Sequence, residues 1–230
     1  MPLIEVDRVT HAYGEQATRR VVLSDITVRL TEQRIGIIGA NGSGKSTFVR
    51  LLNGLLLPAT GTVRVDGLDT RRDGRDVRRR VGFCFTDPDA QIVMPTVRED
   101  IAFGLRRRGL SRAEIDARVA EALLTYGLDG HADHPAHLLS GGQKQLLALS
   151  SVLVTDPSVL VLDEPTTLLD LRNAGKVAEL VGRLDQQVLL VTHHLDLLDG
   201  FERVLVFDEG RIVYDGPPAG AIAHYRGLMV

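Results

Sequence analysis

Apolar and polar positions alternate with a period of two over Leu3 to Val9 and again over Val21 to Leu30, with a polar stretch from Gly14 to Arg20 between them. Successive strand side chains point to opposite faces, so both segments are expected as half-buried strands paired antiparallel. Arg34 to Ile38 is a short apolar run, the pattern of a strand covered on both faces. The period then lengthens. Ser46 to Leu52 sets its apolar side chains on one helical face and ends at Asn53-Gly54, a helix stop signal. Thr62 to Val65 and Val81 to Phe85 predict further strands, and Val97 to Phe103 a short amphipathic helix after a turn-rich stretch at Asp87-Pro88-Asp89. Ser111 with Glu114 forms a capping box for a helix that carries Ile115, Val119, Ala122 and Leu123 on one face. Helices continue to about Val154. Strand signals return at Val159 to Leu162, Val188 to Val191, Val204 to Phe207 and Ile212 to Tyr214, with a helix at Arg172 to Leu184 and a short terminal segment after Asp215-Gly216-Pro217-Pro218.

Strands alternating with helices predict an α/β fold: a mainly parallel sheet covered on both sides, an N-terminal antiparallel β subdomain and an inserted α-helical lobe. One domain is expected over residues 1–230, with a core lobe formed by about 1–85 and 155–230 and a helical lobe by about 86–154.

Composition narrows the picture without redirecting it. The chain has 230 residues, enough for one large domain with a full core, and its 44% hydrophobic and 25% charged residues are ordinary globular values. A net charge of −3 gives no global argument for nucleic acid. The dense basic run Arg71 to Arg80 is interrupted by Asp73 and Asp76 and carries no aromatics, so it reads as a solvated helical face. Cys84 is the single cysteine, which rules out an intrachain disulfide and favours a reducing compartment; we read it as a small buried hydrophobe. Met1-Pro2-Leu3-Ile4-Glu5 lacks the charged leader of a secretory signal, and no apolar run approaches ~18 residues, so the chain is not expected to span a membrane. His131, His134, His137 and Asp133 look superficially like metal ligands, but Pro135 prevents a regular helical face, and the segment reads as a solvated linker.

The chemistry concentrates in three places. Gly39-Ala40-Asn41-Gly42-Ser43-Gly44-Lys45-Ser46-Thr47 follows a predicted strand, opens a predicted helix and fits the phosphate-binding P-loop pattern, which makes the sheet a P-loop core. Glycines at 39, 42 and 44 permit backbone angles and close approaches that let N–H groups face phosphate oxygens. Lys45 adds a mobile positive charge, and the Ser46 hydroxyl suits a magnesium ion. Val159 to Glu164 is an apolar strand that delivers Asp163 and Glu164 at its C-terminal end, where ligands bind in open α/β sheets. Asp163 suits an outer magnesium contact and Glu164 a general base acting on water. Ser140-Gly141-Gly142-Gln143 opens the next helix and offers a second anion-binding end. Tyr13 is either a core or edge-strand residue or a flat platform for a nucleobase.

Taken together, these motifs resemble ABC-type ATPases over nearly the whole chain. The resemblance implies ATP and Mg2+ as ligands, Gly39 to Ser46 as the Walker A loop, Leu139 to Gln143 as the signature sequence, and Val159 to Glu164 as the Walker B strand with its catalytic glutamate. It further implies His193 as the switch histidine, Asp170 as the D-loop aspartate and Tyr13 as the adenine-stacking aromatic. A head-to-tail homodimer is also implied, the P-loop of one copy and the signature serine of the other enclosing each ATP. The chain departs from the family at three points: Thr86 replaces the usual glutamine, Thr167-Leu168-Leu169-Asp170-Leu171 lacks the common glycine and proline, and His194 stands where aspartate is frequent. Thr86 is too short to copy the glutamine's metal contact: either its hydroxyl approaches the ion through a water or Gln91 takes over the contact, and Gln91 is the favoured expectation.

Thr86-Asp87-Pro88-Asp89-Ala90-Gln91 with Thr96 to Gly104 resembles the energy-coupling-factor branch, and with Glu164 to Leu171 most resembles its biotin-transporter ATPases. That likeness implies a transmembrane coupling subunit and a substrate-binding membrane subunit as partners, at the cytoplasmic face of the cell membrane, with no nucleic acid. The alternative is a soluble ABC ATPase of DNA repair or translation, which only the basic run supports. A P-loop kinase would have no use for Leu139 to Gln143.

Overall fold

The two alternating N-terminal segments pair antiparallel as β1 (Ile4–Tyr13) and β2 (Arg20–Leu30), with Val6 opposite Val28. The computed structural model describes residues 1–14, 18–106 and 108–229, so residues 15–17 of the polar stretch between these strands lie outside the described residues. Contacts divide the chain into a unit of Met1–Val81, Ser158–Asp163 and Leu184–Val230 and a second of Gly82–Pro157 and Glu164–Arg183.

In the first unit, β3 (Arg34–Gly39) is buried along nearly its whole length and leads into α1 (Lys45–Leu52), which buries Phe48, Val49, Leu51 and Leu52. β4 (Thr60–Val65) pairs antiparallel with β1, and the two-residue β5 (Leu68–Asp69) completes a sheet of order β2-β1-β4-β5. A strand of two residues is too short to show a period, which is why the pattern along the chain carries no sign of it. The basic run then forms α2 (Gly74–Arg80). Within the unit, Arg72 faces Asp69, Arg79 faces Asp76, Arg80 faces Asp66 at 3.1 Å, and Arg71 donates to the Pro58 carbonyl. β6 (Val81–Cys84) carries the chain into the second unit.

The second unit is helical. α3 (Val97–Phe103), α4 (Arg112–Thr125) and α5 (Gly141–Leu153) each begin with a capping box, made by Thr96 with Glu99, Ser111 with Glu114 and Ser140 with Gln143. Their apolar faces meet in a core that includes Val97, Ile101, Val119, Leu123, Leu128 and Leu147, with Ile115 only partly buried at its edge. α5 starts at Gly141, where the Ser140 side chain caps the Gln143 N–H. The histidine-rich stretch forms short 3-10 turns at Asp129–His131 and Ala136–Leu138. Among the described residues no group of three or more His, Cys, Asp or Glu side chains converges as a metal site. α6 (Leu171–Gly182) groups with this unit, although it lies between strands of the first in sequence.

The remaining strands return to the first unit. β7 (Val159–Asp163), β8 (Gln187–Val191) and β3 run parallel, β9 (Arg203–Asp208) joins β3 in parallel, and β10 (Arg211–Gly216) folds back antiparallel on β9. The order within the unit is β10-β9-β3-β8-β7. The mixed α/β architecture thus follows the sequence pattern. The chain closes with α7 (Pro218–Leu228), an 11-residue helix opened by Pro217-Pro218 and seated by Ala221 against Ile38, Leu198, Val204 and Val206. Only Ala221 of this helix is fully buried, too few apolar anchors for the sequence to show a helical period. Among the described residues no helix is long and apolar enough to cross a membrane.

Candidate functional site

Parallel register sets the site. Val191 pairs with Ile37 on one side and Asp163 on the other, so the C-terminal ends of β3, β7 and β8 share one sheet edge. Open α/β sheets bind ligands at that edge.

The loop after β3 needs its glycines. Gly39 has φ 148°, and a Cβ there would lie 2.1 Å from the Phe207 carbonyl oxygen. Gly42 has φ 79° but nothing within 4 Å of the same position, so its open side faces space that a ligand can enter. No side chain caps α1, which leaves N–H groups of its first turn for an anion. Lys45 is only 5% exposed, and its ammonium folds back to donate to the Gly39 and Ala40 carbonyls at 2.8 and 2.9 Å. The buried Ser43 hydroxyl has no hydrogen-bond partner among the described residues. Asn41 is exposed at the loop's crown. An uncapped helix start, an orphaned hydroxyl and a buried lysine around an open glycine fit a polyphosphate.

Ser46 Oγ, in the first turn of α1, donates to Asp163 Oδ1 at 2.8 Å. Asp163 is 1% exposed and also receives Arg50 Nη2 at 3.3 Å. Sequence reasoning missed Arg50, although its spacing of four from Ser46 places both on one helical face. The Ser46 and Asp163 oxygens are hard donors of the type that Mg2+ takes. Tyr13 is 42% exposed, and its hydroxyl lies 3.2 Å from Thr47 Oγ1, which fixes the ring beside the loop. His193 is exposed two residues beyond β8, its ring 4.1 Å from that of His194. The His194 N–H donates to Thr192 Oγ1.

The second unit holds the other sequence-predicted residues. Glu164 has φ 53°, a left-handed backbone that is costly outside glycine, and its Oε2 accepts from Thr167 Oγ1 at 2.8 Å. Ser140 caps α5 by accepting from the Gln143 N–H. Asp170 caps α6, accepting from the Asn173 N–H at 2.8 Å. Gly142 is required by close packing: a Cβ there would sit 2.5 Å from Asn173 Cγ. Gly141 has no such neighbour, only the Leu168 carbonyl oxygen at 4.0 Å.

Gln91 departs from expectation. Its Oε1, the only atom that could ligate a metal, accepts from the Phe85 N–H at 3.0 Å, and its Nε2 donates to the Ala148 carbonyl of α5 at 3.0 Å. The amide therefore ties the segment after β6 to α5 instead of reaching out. Asp100 was not anticipated at all. It is buried on α3, accepts from the Val93 and Met94 N–H groups at 2.9 and 3.1 Å, and takes Ser151 Oγ at 2.8 Å. Cys84 is fully buried, and burial pushes its thiol up to about 12 despite a hydrogen bond from Gln145.

The ABC transporter family profile matches residues 23–167. A Deinococcus radiodurans protein described as a candidate ABC transporter ATP-binding protein is 57% identical over 227 residues, 99% of each chain. The biotin transport ATP-binding protein BioM of Rhizobium etli is 54% identical over 91% of this chain and 93% of its own. The energy-coupling factor transporter ATP-binding protein EcfA1 of Symbiobacterium thermophilum is 45% identical over 96% of this chain and 82% of its own. Among solved structures, cbiO1 of Clostridium perfringens, part of the ABC transporter complex cbiONQ, superposes with a TM-score of 0.82 at 31% identity, covering 98% of this chain and 92% of that one. The ATP-binding cassette MJ0796, a dimer in a post-hydrolysis state with ADP and Pi, gives 0.82 at 27% identity, covering 94% and 98%.

Proposed function

The chain belongs to the ABC transporter family as an ATP-binding, ATP-hydrolysing subunit, and from that premise we propose that it powers an energy-coupling-factor importer whose substrate is biotin. The biotin assignment rests on BioM, and the importer assignment on EcfA1 and cbiO1.

The observation that carries the catalytic reading is the 2.8 Å hydrogen bond joining Ser46 to Asp163 across the end of the sheet. We assign Ser46 and Asp163 to hold Mg2+, and Lys45 with the amides from Gly39 through Thr47 to bind the phosphates. Bound Mg2+ neutralises charge on the terminal phosphates. Tyr13 gives the base a surface to stack on. Glu164 orients a water and takes its proton as the water oxygen bonds to the terminal phosphorus and the bond to the ADP oxygen breaks. His193 contacts the terminal phosphate.

Ser140 to Gln143 form a second anion-binding helix end on the same chain, and MJ0796 is dimeric, which supports a head-to-tail homodimer in which this end and Asp170 complete the partner's site. A transmembrane coupling subunit and a substrate-binding membrane subunit then receive the motion at the cytoplasmic face of the membrane. The nucleic-acid alternative is not favoured, since the relatives are transporter ATP-binding subunits and Arg72, Arg79 and Arg80 of the basic run pair with acids of their own unit.

Lys45→Ala and Glu164→Gln test the assignment. The first removes phosphate charge and should weaken ATP binding. The second should keep ATP bound while hydrolysis falls by about 10²–10⁴-fold, the worth of a general base. Equal loss of ATP binding in both variants would remove Glu164 from its role.

A further inference from the structure

We propose that His131 is a positioning residue for the signature segment, acting through Gln143 on Ser140. This rests on the reading above, in which Ser140 completes the site of a second copy.

The Ser140 N–H can only donate, and it lies 2.9 Å from Gln143 Oε1. The amide oxygen of Gln143 therefore faces Ser140, and its NH2 group faces the other way, 2.8 Å from His131 Nε2. An amide NH2 has only protons to offer. His131 Nε2 must accept, so its ring is neutral with the proton on Nδ1, a nitrogen that is buried without a partner among the described residues. The ring is set by its surroundings: Leu128 and Ala132 on either side in sequence are core residues, the His131 N–H donates to the Leu128 carbonyl, and His134 stands edge-on at 4.9 Å.

This geometry decides which way the glutamine amide faces. The terminal torsion of glutamine is broad and roughly two-fold, so the amide orientation is set by its two partners, the Ser140 N–H on one side and His131 Nε2 on the other. Flipped, the NH2 would meet the Ser140 N–H, donor against donor, and the capping box would open. The other half of that box, Gln143 N–H to Ser140 Oγ, is long at 3.4 Å and holds the serine weakly. His131 thus gives the amide a second anchor in the orientation that fixes Ser140 at the start of α5. His131 and Gln143 are twelve residues apart and belong to no shared motif, so the link is visible only in the fold.

Three variants of the chain test the link: His131→Phe keeps a ring without an acceptor, His131→Gln restores an acceptor, and Gln143→Ala removes both the acceptor for Ser140 and the donor to His131. Hydrolysis at saturating ATP should fall about 2- to 12-fold in His131→Phe, the net worth of one hydrogen bond, and at least as far in Gln143→Ala. His131→Gln should recover most of the loss, and nucleotide affinity should stay at the wild-type value in both His131 variants. Adding His131→Phe to Gln143→Ala should cost nothing further, since the two residues act as one unit. Wild-type hydrolysis in Gln143→Ala, additive losses in the double variant, or equal losses in His131→Phe and His131→Gln would overturn the proposal. Unchanged hydrolysis in Ser140→Ala would instead overturn the reading on which it rests.

Discussion

Replacing Gln91 by alanine separates two roles for this residue, strut and metal ligand. The amide bonds the Phe85 N–H with its oxygen and the Ala148 carbonyl with its nitrogen, both at 3.0 Å. Removing two such bonds, each worth a net ~0.5–1.5 kcal/mol, should cost about 1–3 kcal/mol. At ~2–4 °C per kcal/mol for a chain of this size, the thermal midpoint should fall by about 2–12 °C. Gln91→Glu keeps the acceptor for Phe85 but turns a carboxylate oxygen toward the Ala148 carbonyl, acceptor against acceptor, so its loss should be at least as large. The assay is thermal unfolding without nucleotide or magnesium, paired with binding of ATP in their presence. A strut lowers the midpoint with no ligand present and leaves nucleotide affinity alone. An unchanged midpoint in the nucleotide-free protein, with magnesium-dependent ATP binding weakened, would refute the strut and restore Gln91 as a metal contact.

Three further outcomes are expected. Gly39→Ala should fail to bind ATP or fail to fold, since its Cβ would overlap the Phe207 carbonyl at 2.1 Å; a variant with wild-type midpoint and affinity would contradict the loop geometry. Ser46→Ala should leave the fold intact and raise the magnesium concentration needed for hydrolysis, read from a metal titration, and an unshifted titration would remove the hydroxyl from the metal site. The Cys84 thiol, raised from 9.0 to about 12, should carry about a thousandfold less thiolate in the folded chain than in the unfolded one at pH 8, so alkylation should follow unfolding rather than precede it.

What the sequence made legible was what local chemistry dictates. α4 was readable because Ser111 with Glu114 announces its start, α3 because it is amphipathic and follows a turn-rich stretch, and β3, β7 and β8 because they are buried, apolar and short. The P-loop glycines were readable because their backbone angles exclude other residues. Long-range pairing was not. Gln91 could be recognised as a polar residue in a loop, but its two partners are six and fifty-seven residues away, so its direction was settled by tertiary packing. Asp100 looked like one more acid in the first turn of a helix, and only the fold shows it buried under the Val93 and Met94 amides. α6 followed a core strand in sequence yet packs with the helical unit, where Asn173 fills the space left by Gly142.

The central claim is that hydrolysis by this chain drives uptake, and one measurement addresses it. The chain, with the membrane subunits that co-purify with it, is reconstituted in vesicles, and uptake of labelled biotin and release of phosphate are followed in the same sample. The wild-type chain should show uptake that rises with ATP hydrolysis, and Glu164→Gln should abolish both while ATP stays bound. Biotin uptake that continues undiminished in Glu164→Gln, with phosphate release lost, would contradict the account.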